Sequence, residues 1–306
     1  MEENVAKSLQ EYLDILDNIV SSTKKKTNGN DSKKESRSIL FYRGHSNVNY
    51  ELVPSLFRND EFVEKEKRIC NKIIREYPSV FINNTRLANL VIMQHFGIPT
   101  RLLDFSLNPL IALYFAVTDN SDKDGKVIIS IVNENRIEYE NSSKMQALAC
   151  LSFIDKKSIN VIKKYCFNNR EEYASNTQIK LAKAAKKKRE IDIMINYLEI
   201  LVKNNVSLNF KWKNLTIPFM LMANKNFDRM INQDGAFVVF GFDKKFLMSS
   251  DKFNIIDIII PSKNKQFILK QLRLIGIKDS IVYPSLESIS RDMLGKKASW
   301  IEYMEI

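Results

Sequence analysis

The sequence predicts an α+β protein with a basic, helix-rich insertion. Two observations carry this reading. Strand-like and helix-like segments follow one another in mixed order and not in a regular βαβ alternation. The chain also has no glycine from Lys126 to Asp234 and no proline from Leu110 to Ile217, so its middle third lacks the residues that most often break helices.

Taken in order, Val5, Leu9, Tyr12, Leu13, Leu16, Ile19 and Val20 recur at helical spacing, which predicts an amphipathic helix over 4–20 within an N-terminal unit, 1–20. Residues 21–38 (SSTKKKTNGNDSKKESRS) hold no large apolar side chain and read as a polar linker, leaving that helix tethered to dock on the body or on a partner. Residues 39–306 form the main domain, with its basic insertion at about 140–213. The run Ser38 to Gly44 is a strand. Asp60 to Tyr77 is a helix stopped by Pro78, and Thr85 to Phe96 a second, ended by Gly97. Asn108 and Pro109 are a good N-cap and first helical residue for a third, which runs to Val117. Gly125 turns the chain into a strand at Lys126 to Val132. Helices are expected near 144–150, 156–166 and 177–204, then strands at Ile217 to Met222, Ala236 to Phe242 and Phe253 to Ile260. Pro261 opens a helix to about Leu274, followed by a strand at Ser280 to Tyr283 and a last helix from Pro284.

Composition narrows the function classes. Of 306 residues, 44% are hydrophobic and 27% charged, which excludes wholesale disorder. No apolar run is long enough to span a bilayer, and the N-terminus lacks the features of a signal peptide, so the chain is expected in the cytoplasm and off the membrane. Three scattered cysteines and two histidines fifty residues apart fit no disulfide framework and no metal motif, and no metal is expected. The eight glycines match neither GxGxxG nor a P-loop. Net charge is +11, and Lys156 to Lys213, with 14 basic and 5 acidic residues, carries +9 of it. Its densest part, KLAKAAKKKR, would set Lys180, Lys183, Lys186, Lys187, Lys188 and Arg189 along neighbouring helix faces. Such a stripe suits a nucleic acid or another polyanion; a solvated helix face is the plainer alternative.

Candidate chemistry lies in three segments. Arg43, followed by Gly44 and His45, stands inside an apolar strand, where a cation needs a carboxylate or a ligand anion. The block from Gln94 to Ser106 crowds Gln94, His95, Thr100, Arg101, Asp104 and Ser106 together. An extended Arg101–Phe105 puts Asp104 and Ser106 on one face, just before the helix that starts at Asn108. Gln233 and Asp234 open a strand, where side chains often face a cleft. For each segment the alternative is structural: an edge-strand arginine, internal caps and ion pairs, a simple turn.

YRG at 42–44, LVPSLFR at 52–58, QHFGIPTRLLDFSLNPLIALYFA at 94–116, QDGAF at 233–237 and LRLIGIKDSIVYPSLESI at 272–289 occur in that order. With these blocks the chain resembles the FRG-domain family from about 38 to 292. It is also distantly similar to ADP-ribosyltransferases of the Arg-Ser-Glu type, through Arg43-Gly44, then Ser106 with Ala112 to Ala116, then Gln233-Asp234-Gly235. That similarity implies a split antiparallel β core, NAD as cofactor and a toxin or phage-defence effector that modifies a nucleic acid or a nucleic-acid-bound protein. It places Arg43 on the phosphates or ribose and Ser106 on the nicotinamide ribose. Gly44, His45, Gln94, Thr100 and Arg101 join them around the cofactor. Gln233 stands where a glutamate is expected, so Asp104, Asp234 or His95 would have to supply the base. An antitoxin or other protein partner would engage the N-terminal helix. The rivals are an inert nucleotide- or nucleic-acid-binding module and a nuclease using Asp104 and His95.

Overall fold

The computed structural model describes residues 4–27, 37–169, 211–225, 227–242 and 253–284, with scattered positions from 172 to 210. It is a mixed α+β architecture built on one eight-stranded sheet. The strands are β1 (Asn4–Val5), β2 (Ser38–His45), β3 (Leu102–Ser106), β4 (Gly125–Asn133), β5 (Ile137–Tyr139), β6 (Phe219–Met222), β7 (Gly235–Val239) and β8 (Asn254–Ile260), in the order β1-β8-β4-β2-β3-β7-β6-β5. Neighbours are antiparallel except for the two edge pairs, β1 with β8 and β5 with β6.

The centre of the sheet is barely joined. β2 pairs with β4 along its whole length, and β3 with β7 along all five residues, but β2 meets β3 only at Tyr42 opposite Ser106. The sheet therefore parts into two four-stranded halves hinged at one residue pair. Strand alternation then sorts the core. Phe41, Leu103, Phe105 and Val238 face one side, in a cluster common to both halves. On the opposite face each half has its own cover. The first half packs Tyr42, Val127, Ile129 and Ile258 beneath α1 (Leu9–Thr27), α5 (Pro109–Val117) and α9 (Lys265–Leu274). The second packs Leu102, Leu221, Phe237 and Val239 beneath α4 (Arg86–His95), α6 (Ser143–Cys150) and α7 (Lys156–Asn168). A groove between the two helical covers is the consequence.

Capping chemistry sets the ends of these helices. The side chain of Asn108 accepts from the Leu110 N–H, with Pro109 at the first helical position of α5. Thr85 caps α4, Asn59 caps α2 (Asp60–Glu76), which the short α3 (Pro78–Phe81) follows, and Asp155 caps α7 in the same way. Gly97 and Gly276 hold φ of +74° and +87° just past α4 and α9, the left-handed region that glycine enters without strain.

Several boundaries differ from expectation. The N-terminal segment is not one helix over 4–20: β1 adds to the sheet edge, and α1 begins at Leu9 and runs to Thr27, into the expected linker. The rest of that linker, 28–36, lies outside the described residues. Tyr12, Leu16 and Ile19 are buried in the core, and the Tyr12 hydroxyl donates to the Pro109 carbonyl at 2.9 Å. Of the two dockings open to this helix, on the body or on a partner, these residues make the first. Asp228–Asn232, read only as a polar cluster, forms helix α8, and Asp279–Val282, where a strand was expected, forms the short helix α10. The described positions of the 177–204 helix include Tyr197 and Leu201, both buried against the second half. The basic run Lys180 to Arg189 lies outside the described residues, as does the last helix after Pro284. Among the described residues no helix is long and apolar enough to cross a membrane.

Candidate functional site

The parting of β2 and β3 opens a cleft of two adjoining compartments. The first, about 150 Å³, is walled by Tyr42, Gly44, Ile111, Ala112 and Phe115 and carries Arg43, Ser106 and Arg229. The second, about 250 Å³, is walled by Val91, Ile98, Met230 and Phe237 and carries Gln94 and His95. Asp104, Phe105, Arg229 and Gln233 line both.

Arg43 occupies the split itself. Its Nη1 donates to the Asp104 carbonyl at 2.5 Å and lies 3.8 Å from the Asp104 carboxylate, while its Nε donates to His45 Nε2 at 3.0 Å. The guanidinium replaces a ladder partner that the diverging strand no longer supplies. Only 16% of the side chain is exposed, and burial, opposed by Asp104, brings its pKa down to about 10. It stays charged at neutral pH but is poorly solvated.

Asp104 is held from two sides. Gln94 donates from Nε2 to its carboxylate at 2.8 Å, and the Thr100 hydroxyl donates to Gln94 Oε1 at 2.5 Å, which fixes the amide with its NH₂ toward Asp104. Thr100 is itself buried, so it acts on the cleft only through Gln94.

Ser106 and Gln233 meet across the sheet, but their polar groups serve the fold. The Ser106 hydroxyl donates to the Gln233 carbonyl at 2.6 Å and accepts from the Asn108 N–H at 2.9 Å. Gln233 ends α8, before β7, and spends its side-chain NH₂ on the Val282 carbonyl at 2.9 Å. Asp234, at φ +47°, is ion-paired with Lys225. Asp104 is consequently the one acidic side chain lining either compartment among the described residues.

The two histidines differ in placement. His95 lines the second compartment, its ring stacked on Phe227 at 4.6 Å and its pKa lowered by burial and by Arg229. It is a neutral imidazole at pH 7. His45 is buried behind Arg43 and lines neither compartment. Burial, then Arg43, Lys126 and Arg58, push its pKa down to about 3. Gly44 has a packing reason to be glycine: a Cβ there would collide with the Ala112 carbonyl of α5.

Arg101 is not in the cleft, contrary to the sequence reading. It is fully buried, with Nε 2.9 Å and Nη2 2.5 Å from the two Glu66 oxygens and Nε also 2.8 Å from Ser152 Oγ. Its Nη1 donates to the Gly241 carbonyl. It is an internal ion-pair partner tying α2 to the sheet. Lys180, Lys183, Lys186, Lys187, Lys188 and Arg189 lie outside the described residues. Arg229, which the sequence reading did not single out, sits where the compartments join. Its signal was weak: a cation in a polar turn, with its aromatic partner Tyr283 far along the chain.

A mixed α+β protein with a ligand-sized cleft at a parted sheet is the class that fold and site define. Within it, residues 38–125 match the FRG domain, and that segment is similar to the family. The match holds β2, β3, α5, Arg43, Asp104 and Ser106, and ends before Arg229 and Gln233. No curated protein and no solved structure matches the chain, so the likeness to ADP-ribosyltransferases rests on the residues alone.

Proposed function

We propose that the cleft binds a nucleotide of the NAD type and breaks its nicotinamide–ribose bond, as an ADP-ribosyltransferase-like or NAD-cleaving enzyme with Asp104 at the reacting centre. The observation that carries this reading is a lone carboxylate, oriented by Gln94 and set beside Arg43, at the junction of two compartments. Breaking a glycosidic bond builds positive charge on the ribose, and a fixed carboxylate stabilises it. Arg43 would meet a phosphate. Gln233 has no charge to offer and its amide is engaged, so the role of the expected glutamate falls to Asp104. Such turnover in a cell depletes NAD or marks a target, the chemistry of a toxin or phage-defence effector; a nucleic-acid target would be drawn by the basic stretch.

The second reading, binding without turnover, is favoured by one feature: Ser106 and Gln233 are both occupied inside the protein, and Asp104 is 55% exposed, where water weakens its field. Incubation with NAD, following nicotinamide by chromatography, decides between them. Turnover is expected, and Asp104→Asn should lower it about 100-fold or more while NAD binding by calorimetry survives. NAD binding without any nicotinamide release would establish the binding module, and no binding at all would remove both readings.

A further inference from the structure

Arg229 stands out because, among the described residues, no ion pair accounts for its charge. It lies on α8, half-buried, and lines both compartments at their junction. Among the described residues no carboxylate comes within ion-pair distance of it. Nearby acids are spoken for: Asp234 pairs with Lys225, and Asp104 takes Gln94 and lies 3.8 Å from Arg43. Its guanidinium is instead seated on the Tyr283 ring, 5.0 Å from the centroid, and Tyr283 is braced edge-on by Phe115 at 5.9 Å. Aromatic seating of this kind holds a guanidinium in place and leaves its N–H edge free for a planar, two-point acceptor.

We infer that Arg229 and Arg43 form a two-jawed clamp for a diphosphate, which makes the preferred ligand a dinucleotide or a nucleoside-diphosphate sugar, not a mononucleotide. The inference rests on the proposal that the cleft takes a nucleotide, and it adds where the phosphates sit. Two guanidiniums and one carboxylate line the first compartment, so the local balance there is positive. A diphosphate there reaches Arg43 from one side and Arg229 from the other. The compartments then receive the groups on either end: one against Ile111, Ala112 and Phe115, the other beside His95. Burial and Arg229 both disfavour a proton on His95, so the clamp's charge comes from the two arginines.

The test is titration calorimetry of NAD and of ADP-ribose against the full chain, as wild type, Arg229→Gln and Arg229→Lys, at several salt concentrations, with thermal unfolding as the control for folding. Arg229→Gln is expected to weaken both ligands about 10- to 100-fold and to reduce the salt slope, with the thermal midpoint held; Arg229→Lys should regain part of the affinity. Undiminished affinity in Arg229→Gln, with the wild type binding NAD, would overturn the clamp and leave the nucleotide reading standing. So would a loss that lysine does not relieve and that leaves the salt slope unchanged, since Arg229 would then only be packing. A wild type that binds neither ligand would sink the clamp together with the reading beneath it.

Discussion

Glu66→Gln separates the structural arginine of this chain from the cleft arginine. Arg101 and Glu66 are both about 97% buried or more, joined by two hydrogen bonds of 2.9 and 2.5 Å. The substitution keeps the shape and removes the negative charge, leaving a guanidinium in the core against neutral partners, Ser152 and the Gly241 and Phe240 carbonyls. Breaking a buried pair from one side costs about 3–5 kcal/mol. A chain of this length loses roughly 2 °C of thermal midpoint per kcal/mol, so a fall of roughly 6–10 °C is expected by circular dichroism. The double variant Arg101→Met, Glu66→Leu should recover much of that fall, because apolar side chains of similar volume replace both charges. Arg43→Ala should cost less: its ion pair is long and its carboxylate partner exposed, so the loss is confined to its hydrogen bonds to the Asp104 carbonyl and His45, about 1–3 kcal/mol, and the binding proposed for the cleft should go with it. An unchanged midpoint in Glu66→Gln, or a double variant less stable than either single one, would refute the assignment of Arg101 to the core.

Three further perturbations probe the buried polar groups and the close helix–strand contact. His45 has a folded pKa near 3 against an ordinary value of 6.5, so between these values the unfolded chain binds a proton that the native one refuses. Stability contributed by this site is therefore complete above pH 6.5 and is lost as pH falls toward 3, by up to about 5 kcal/mol, and His45→Gln should flatten that acid slope in pH-dependent denaturant titrations. Lys265 is fully buried and its ammonium donates to the carbonyls of Ser46, Asp119 and Asn120 at 2.6–2.9 Å, so Lys265→Met should cost about 2–4 kcal/mol in urea unfolding. Gly44→Ala should destabilise by about 1–3 kcal/mol and, with it, weaken the nucleotide binding proposed for the cleft, because α5 must move to make room; an unaffected variant would mean that the helix has slack.

What the sequence revealed, it revealed locally. Asn108-Pro109, Asn59, Thr85 and the two left-handed glycines each carry their signal within a few residues, and the helices they bound appear where expected. What it hid depends on partners far along the chain. Ser280 to Tyr283 has strand-like residues, yet Asn232 and Gln233 of α8 donate to the Ile281 and Val282 carbonyls, and the segment coils as α10 beside them. Arg43 and Arg101 are alike in sequence, each an arginine in an apolar run. The carboxylate that decides between them, Glu66, is 35 residues from Arg101, on another element. Ser106 and Gln233 do come together at the cleft, as the order of motifs implied, but periodicity could not say that the Ser106 hydroxyl would be spent on the Gln233 carbonyl and the Gln233 amide on the Val282 carbonyl.

The tripeptide at 42–44 shows why cleft and core cannot be varied separately here. Tyr42 packs under the first helical cover and makes the one ladder pair with Ser106. Arg43, beside it, points the other way and fills the gap where the strands separate, satisfying a carbonyl of β3. Gly44, next again, lets the backbone of α5 lie directly on β2, and Gly125 does the same one strand over, where a Cβ would strike the Ala116 carbonyl. The close seating of α5 brings Ile111, Ala112 and Phe115 up to the split as a wall. A wider glycine-free contact would lift that wall away from Arg43 and open the first compartment to water, weakening the arginine's hold on any anion. The glycine therefore shapes the first compartment through the distance at which a helix rests on a strand, besides lining it.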